Sequence, residues 1–170
     1  MTFDILVIGG GAAGMMAAIS SASEPGIKVA IIEKNTGLGK KVLATGNGRC
    51  NVSNTQVDVE RYHGSVTEYF DTVFGSFDNK KTEEFFNTLG VNFKEENNGR
   101  LFPTTNKAST IVAALENDLI KKNVSIFNNL IVKNIFQENL LWHIVTEEKT
   151  FLAKKIILAT IKGGAHHGSI

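Results

Sequence analysis

Asp4-Ile5-Leu6-Val7-Ile8-Gly9-Gly10-Gly11-Ala12-Ala13-Gly14-Met15-Met16-Ala17-Ala18-Ile19 decides the fold. The first five residues are a short apolar run, the pattern of a strand buried on both faces. Three glycines break it, and a small-residue, helix-compatible stretch follows, ending near Glu24-Pro25-Gly26. A second buried strand, Lys28–Glu33, comes next. The order strand, helix, strand predicts parallel strands with a right-handed crossover.

Within that unit the spacing Gly9-x-Gly11-x-x-Gly14 falls between strand and helix. Each glycine has a separate physical role there. Gly9 permits the tight turn, Gly11 lets bare backbone approach a pyrophosphate, and Gly14 lets helix and strand pack closely. The helix start, Gly11-Ala12-Ala13-Gly14, then offers unpaired amides and a positive dipole end to the phosphates. Glu33 lies at the tip of the second strand, about 20 residues further on, where an acid accepts hydrogen bonds from ribose hydroxyls. The bland alternative is a glycine-rich turn with Glu33 as a solvated strand end. NAD and FAD use the same cradle, so the motif alone does not choose between them.

Outward from this unit, Gly37 to Asn54 reads as a glycine-rich loop, and residues 66–75 are ambiguous. Asn79–Leu89 has apolar residues at Phe85, Phe86 and Leu89 among charges, as an amphipathic helix does, with Gly90 at its C-terminal end. A turn at Glu95–Gly99 leads to Arg100–Pro103. Lys107–Lys121 reads as another helix, with Ile111, Val112, Leu115, Leu119 and Ile120 on one side. Val124–Phe127 is a short strand. Leu130–Phe136, Leu140–Val145 and Thr150–Leu152 read as a small antiparallel meander, and Lys155–Thr160 as one more buried strand. A meander followed by a buried strand is unlike the continuous α/β winding of a simple NAD dehydrogenase. The fold class expected is therefore α/β, a Rossmann-like domain with a parallel sheet plus a small antiparallel β-meander, over residues 1–160.

The bulk numbers agree with one ordinary domain. Hydrophobic residues make up 42% and charged residues 21%, which excludes a disordered or fibrous chain. Eighteen basic and seventeen acidic residues give 18 − 17 = +1, so charge supplies no reason to expect nucleic acid or a membrane as partner. The single cysteine, Cys50, excludes an internal disulfide and a Cys-x-x-Cys redox pair. His63 and His143 are isolated and His166-His167 lie near the end, so no metal-ligand spacing is present. No basic leader precedes the first strand and no apolar stretch approaches the roughly 20 residues of a membrane span; the expected location is the cytoplasm.

The loop Gly39–Asn54 is the second chemical signal. Its glycines and asparagines allow unusual backbone angles, such loops form anion-holding concavities, and Lys40, Lys41 and Arg49 add positive charge. The alternative is a surface loop of turn residues. Gly48-Arg49-Cys50-Asn51, Tyr62-His63-Gly64, Gly90-Val91, Gly99–Pro103, Lys107-Ala108 and Leu158-Ala159-Thr160 occur in an order that closely resembles the aminoacetone-oxidase-like, or BaiN/RdsA-type, family of bacterial FAD-dependent oxidoreductases. The resemblance covers residues 1–160. It implies a two-dinucleotide-binding flavoprotein with extended FAD. Gly9, Gly11, Ala12, Ala13, Gly14, Glu33 and Lys34 would hold the pyrophosphate and adenosine ribose. Lys41, Gly46, Arg49, Cys50 and Asn51 would lie toward the ribityl and flavin end, Val132 near the adenine, and Thr160 beside the cofactor.

From Ile161 onward the pattern is lost, because the family continues with glycines and a long further stretch carrying a substrate domain. Residues 161–170 are therefore expected to be a divergent or truncated tail, and the missing C-terminal part of the enzyme a partner. The chemistry expected is electron or hydride transfer through FAD, with NAD(P)H or oxygen as redox partner. The substrate would be a small amine, an enone-like molecule or a nucleobase. The competing readings are a non-catalytic nucleotide-binding fragment and a simple NAD-dependent dehydrogenase. Cys50 and His63 are the candidate proton donors. Arg49 beside Cys50 would lower the thiol pKa, against a buried structural thiol; His63 is of the residue type suited to proton transfer near neutral pH, against an aromatic-His-Gly turn packing under the loop.

Overall fold

The structure, a computed structural model, describes residues 1–58, 60 and 67–160. His63 and the tail 161–170 lie outside them. The chain divides into two compact units, one of Met1–Val42 with Leu115–Ile170 and the other of Leu43–Ala114.

The first unit is built on strands β1 (Thr2–Ile8), β2 (Val29–Ile32), β6 (Ser125–Phe127), β7 (Val132–Glu138), β8 (Leu141–Thr146) and β9 (Thr150–Leu158), with helix α1 (Ala12–Ser21) between β1 and β2. These strands form one six-stranded sheet in the order β6-β2-β1-β9-β8-β7. The parallel pairs are β1 with β2, β1 with β9 and β2 with β6. The meander adds antiparallel pairs at the other side. The meander is present as expected and is not detached from the parallel strands: β9 joins the two, and the Phe151 ring at its start lies 4.8 Å from that of Phe127 on β6. Nor are its third strand and the last buried strand two elements. They are one strand, β9, whose start pairs with β8 (Val145↔Thr150 to Trp142↔Ala153) and whose length from Leu152 to Leu158 pairs with β1. The expected break between Leu152 and Lys155 is bridged by strand, and there Lys154 Nζ reaches Asp4 Oδ1 on β1 at 2.7 Å, a cross-strand ion pair.

Phe3, Leu6, Ile8, Ala30, Ile32, Leu130, Ile144, Phe151 and Ala153 form a buried cluster on this sheet. Fully burying a side chain such as Leu6 or Ile32 stabilises by about 1.5–3 kcal/mol before conformational entropy is subtracted. This cluster, and not the glycine turn, holds β1 central.

The second unit has short helix α2 (Lys40–Ala44) at its entry, then strand β3 (Ser53–Asn54), helices α3 (Thr67–Ser76) and α4 (Asn79–Thr88), strands β4 (Phe93–Glu96) and β5 (Arg100–Pro103), and the start of α5 (Ala108–Lys121). β3, β5 and β4 make a three-stranded antiparallel sheet. The ambiguous 66–75 region is largely α3, and the loop read over 37–54 contains α2 and β3. Asp78 caps α4 by accepting the Lys81 N–H at 2.8 Å, and Gly90, at φ +81°, follows its C-terminal end as expected. In α5, Ile111, Val112, Leu115 and Leu119 are buried, but Ile120 is 64% exposed. One residue past Leu119, it has turned about 100° off the buried stripe.

Candidate functional site

At the end of β1 the three fingerprint glycines occupy three different environments. Gly9 has φ +107°, and a Cβ there would sit 2.7 Å from the Ala159 carbonyl oxygen and 3.3 Å from the Thr160 nitrogen. A Cβ on Gly14 would overlap the Gly9 carbonyl oxygen and touch the Ala159 Cβ. A Cβ on Gly11 would meet nothing within 4 Å. Two of the glycines thus bring β1, α1 and the end of β9 together, while the third faces open space. Gly11 is the extended N-cap residue of α1 and supplies no side-chain cap. Its carbonyl accepts the Met15 N–H at 2.9 Å. The amides of the first turn, Ala12 to Gly14, have no acceptor within the helix, and Ala12 and Ala13 are exposed. Exposed first-turn amides beside a bare α-carbon fit a diphosphate.

Glu33 follows β2 and is only 8% exposed. The sequence reading leaves its carboxylate free for a ribose; here it is engaged. Oε2 accepts the Gly10 N–H at 2.6 Å and Oε1 accepts the Asn35 N–H at 2.8 Å. The Asn35 side-chain amide also donates to Oε1. A carboxylate has about four acceptor sites, so roughly one lone pair is left for a sugar. The first role of Glu33 is to fix the glycine turn. This brings in two residues that the fingerprint passes over. Gly10 stands as an unrestricted position in the motif, yet a Cβ there would collide with the Leu38 side chain and lie 3.2 Å from Glu33 Oε2. Asn35 links the carboxylate to Lys40, whose Nζ donates to Asn35 Oδ1 at 3.3 Å. The only hint for Asn35 in the sequence is a turn-forming residue directly after a strand.

The segment after β6 returns along the end of β2. Asn129 N–H donates to the Asn35 carbonyl and Leu130 N–H to the Glu33 carbonyl, each at 3.0 Å. Val132, half-buried, opens β7 just beyond. Gly9 to Gly14, Glu33 and Thr160 therefore belong to the ends of the neighbouring strands β1, β2 and β9, and Val132 follows two residues after Leu130, which is bonded to Glu33. Lys34 and Lys41 are exposed.

In the second unit, Gly46, Asn47, Gly48 and Cys50 all have positive φ, from 54° to 80°. Arg49 N–H donates to the Gly46 carbonyl at 3.2 Å and Cys50 N–H to the Thr45 carbonyl at 3.0 Å. A Cβ on Gly46 would stand 2.9 Å from the Asn51 nitrogen and 3.0 Å from the Phe102 ring, so the turn closes on itself over that ring. Arg49 lies with its guanidinium 4.1 Å from the centroid of Phe102, and Nη1 meets both carboxylate oxygens of Glu96 at 2.9 and 3.1 Å. Lys94 reaches the same carboxylate at 3.1 Å. The hydrogen bond from Lys94, with that from Arg49 and the two positive charges, holds the Glu96 carboxyl below the usual range, against some desolvation.

Cys50 is 6% exposed. Burial pushes its thiol pKa up, with a hydrogen bond to Thr45 pulling weakly the other way. The expected lowering by Arg49 is not found, because the guanidinium is directed to Glu96 and Phe102. The geometry agrees with the buried-thiol alternative. His63 lies outside the described residues, so its proposed role has no geometry here. Among the described residues no cluster of three or more His, Cys, Asp or Glu is disposed to hold a metal ion, and no helix is long and apolar enough to cross a membrane.

The family model described as HI0933-like protein Rossmann domain matches residues 3–169. The 3-dehydro-bile acid delta(4,6)-reductase of Clostridium scindens is 36% identical over 154 residues, 90% of this chain and 37% of that protein. The ribosomal RNA dihydrouridine synthase of Escherichia coli is 27% identical over 158 residues, 93% of this chain and 39% of its own length. The chain thus spans less than two-fifths of these curated relatives. Among solved structures, Thermovibrio ammonificans THI4 superposes with a TM-score of 0.64 at 19% identity, covering 94% of this chain and 57% of that one. Thioredoxin reductase from Streptococcus pyogenes gives 0.53 at 23% identity, covering 99% and 37%. Both likenesses are of fold.

Proposed function

This chain belongs to the HI0933-like protein Rossmann domain family, and from that premise we propose that it is the FAD-binding front portion of a flavin-dependent oxidoreductase. The observation that carries the proposal is the division of labour among the glycines: Gly9 and Gly14 have backbone where a side chain would go, while Gly11 has open space. Open space at Gly11, beside the first turn of α1, leaves room for a cofactor diphosphate to approach bare backbone.

Gly11, Ala12, Ala13 and Gly14 would hold the diphosphate through their amides, with the dipole of α1 favouring its charge. Glu33 fixes Gly10 and offers its remaining lone pair to the adenosine ribose, with Lys34 beside it. Val132 would border the adenine, and Thr160 would lie next to the Gly9 turn. Lys41, Gly46, Cys50 and Asn51 are assigned to the ribityl and flavin half by motif resemblance. The flavin, when bound, supplies the hydride or electron transfer; the protein supplies binding, orientation and exclusion of water. Cys50 acts as a buried structural thiol in this reading, because a thiol whose pKa is raised by desolvation is a poor source of thiolate.

Of the substrate classes left open by the sequence, the named relatives favour an enone-like molecule or a nucleobase over a small amine. One is named for a bile-acid delta(4,6)-reductase and two for a ribosomal RNA dihydrouridine synthase. Reduction by NAD(P)H through the flavin, in the cytoplasm, is the corresponding reaction. The RNA relatives bring nucleic acid back as a partner class that the chain's +1 charge does not suggest.

The test is direct. Protein purified without added cofactor should carry a flavin visible absorption band, and the released cofactor should run as FAD on chromatography. Retention of NAD alone, or of no nucleotide even after incubation with FAD, would defeat the proposal. Bleaching of the band by NADPH or NADH under argon, and its return on adding an enone or a uridine-containing RNA, identifies the two half-reactions.

A further inference from the structure

We propose that Arg49 is a positioning residue that clamps the left-handed Gly46–Asn51 turn, and not a ligand of the cofactor; the proposal rests on the FAD reading above for its functional consequence, though not for its geometry.

Four positive-φ residues within five, interrupted only by Arg49, are costly wherever a side chain is present. Asn tolerates this backbone, but Cys50 at φ +62° does not do so readily. Something must over-determine the turn, and the structure shows what does. Phe102 is 2% exposed, and its ring carries the Arg49 guanidinium on one face while its edge faces the Gly46 α-carbon. Glu96, on neighbouring strand β4, takes Arg49 Nη1 with both oxygens and is itself paired with Lys94. Val52 N–H donates to the Leu101 carbonyl at 2.9 Å, so the chain leaving the turn is stitched to the same strand that bears Phe102. The start of the turn, the chain leaving it and its only long side chain all converge on β4 and β5.

The consequence reverses a natural assumption about an arginine in a glycine-rich loop. Its positive charge faces a carboxylate and its plane lies on a ring. What the turn offers a cofactor is the shape that the arginine enforces on its backbone. An arginine acting directly on a diphosphate or a flavin would gain freedom, and strengthen binding, when Glu96 is removed. An arginine acting as a clamp would lose its purpose.

A double-substitution cycle on the purified protein separates the two. Arg49→Ala should weaken FAD retention about tenfold, Glu96→Gln should weaken it by a similar factor, and the double variant should be no worse than either single one. Arg49→Lys should restore only part of the loss, since it keeps the ion pair and loses the planar stack. The visible circular dichroism of bound flavin should shift alike in both single variants. If Glu96→Gln leaves FAD binding unchanged or tighter while Arg49→Ala weakens it, Arg49 is a direct ligand and the proposal is overturned.

A second readout needs no cofactor. Cys50 is the only thiol of the chain and is buried inside this turn, so its labelling rate by a soluble disulfide reagent reports turn opening. Both single variants should label about tenfold faster than the parent, without further gain in the double variant and without global unfolding. Unchanged labelling would overturn the clamp. If the parent binds no FAD, the flavin assignment fails, and the labelling result alone decides the role of Arg49.

Discussion

At Gly9–Gly14 the backbone is fixed by what lies against bare α-carbons; at Gly46–Asn51 it is fixed by side chains that come from fifty residues away. The first turn needs β1, α1 and the Ala159 backbone, all supplied by the strand order of one sheet. The second needs Phe102 and Glu96. A turn shaped by backbone contact announces itself as a glycine spacing. A turn shaped by a distant arginine clamp does not, because nothing near residue 49 names its partners.

This contrast can be broken. The largest effect should come from Gly14→Val, since the new side chain would overlap the Gly9 carbonyl, which β1 holds in place. We expect a loss of about 3 kcal/mol or more in urea unfolding; a loss below about 1 kcal/mol would mean the first turn is softer than its contacts imply. Next, Phe102→Leu keeps the second turn apolar underneath but removes the ring beneath Arg49. A destabilisation of about 1–2 kcal/mol is expected, with faster labelling of Cys50 as the local signature.

Gly11→Ala sharpens the comparison from the other side. Its α-carbon faces open space and its φ is −77°, so stability should stay within about 0.5 kcal/mol of the parent. FAD affinity should nevertheless fall about tenfold, since the methyl would stand where the diphosphate approaches. A matched loss of stability and affinity would show Gly11 to be structural after all.

The smallest effect is electrostatic and occurs in both units. Asp4 is held below the ordinary carboxylate range by Lys154, and by the Lys28 N–H that it accepts at 2.8 Å; Glu96 is held down by Lys94 and Arg49. For a carboxyl with a depressed folded-state pKa, the stabilisation is present above the unfolded value, about 4, and disappears as pH falls through the lower folded value. The urea midpoint should therefore drop modestly below about pH 4. Lys154→Gln should remove the share due to Asp4 and leave the share due to Glu96. Both carboxylates are half-buried with solvent access, so each contribution is small.

The same contrast explains what could be read from the sequence. The strand-helix-strand order of β1-α1-β2 was legible, because a buried apolar run, a glycine spacing and a strand-end acid are all local signals. Legible too were α4, α5 and the existence of the meander, from periodicity. Hidden were the continuity of β9, disguised by the Lys154-Lys155 interruption that Asp4 compensates, and the outward turn of Ile120. The strand β3 was lost among turn residues, because two paired residues leave no periodicity. In the site, Gly10 and Asn35 escaped notice because their constraint comes from Leu38 and Glu33 after folding. The engagement of the Glu33 carboxylate was hidden for the same reason: a sequence shows an acid at a strand tip and not the amide it will meet.

β9 has a temporal consequence. β1 is flanked on one side by residues 152–158, so it leaves the ribosome long before its neighbour exists. Its apolar side chains must stay soluble through the synthesis of all that lies between, and the carbonyl against which Gly9 packs is that of Ala159. Such distant pairing makes closure slow and leaves β1 open to aggregation while it waits. The turn proposed to hold the diphosphate is thus synthesised well before the residue that closes it.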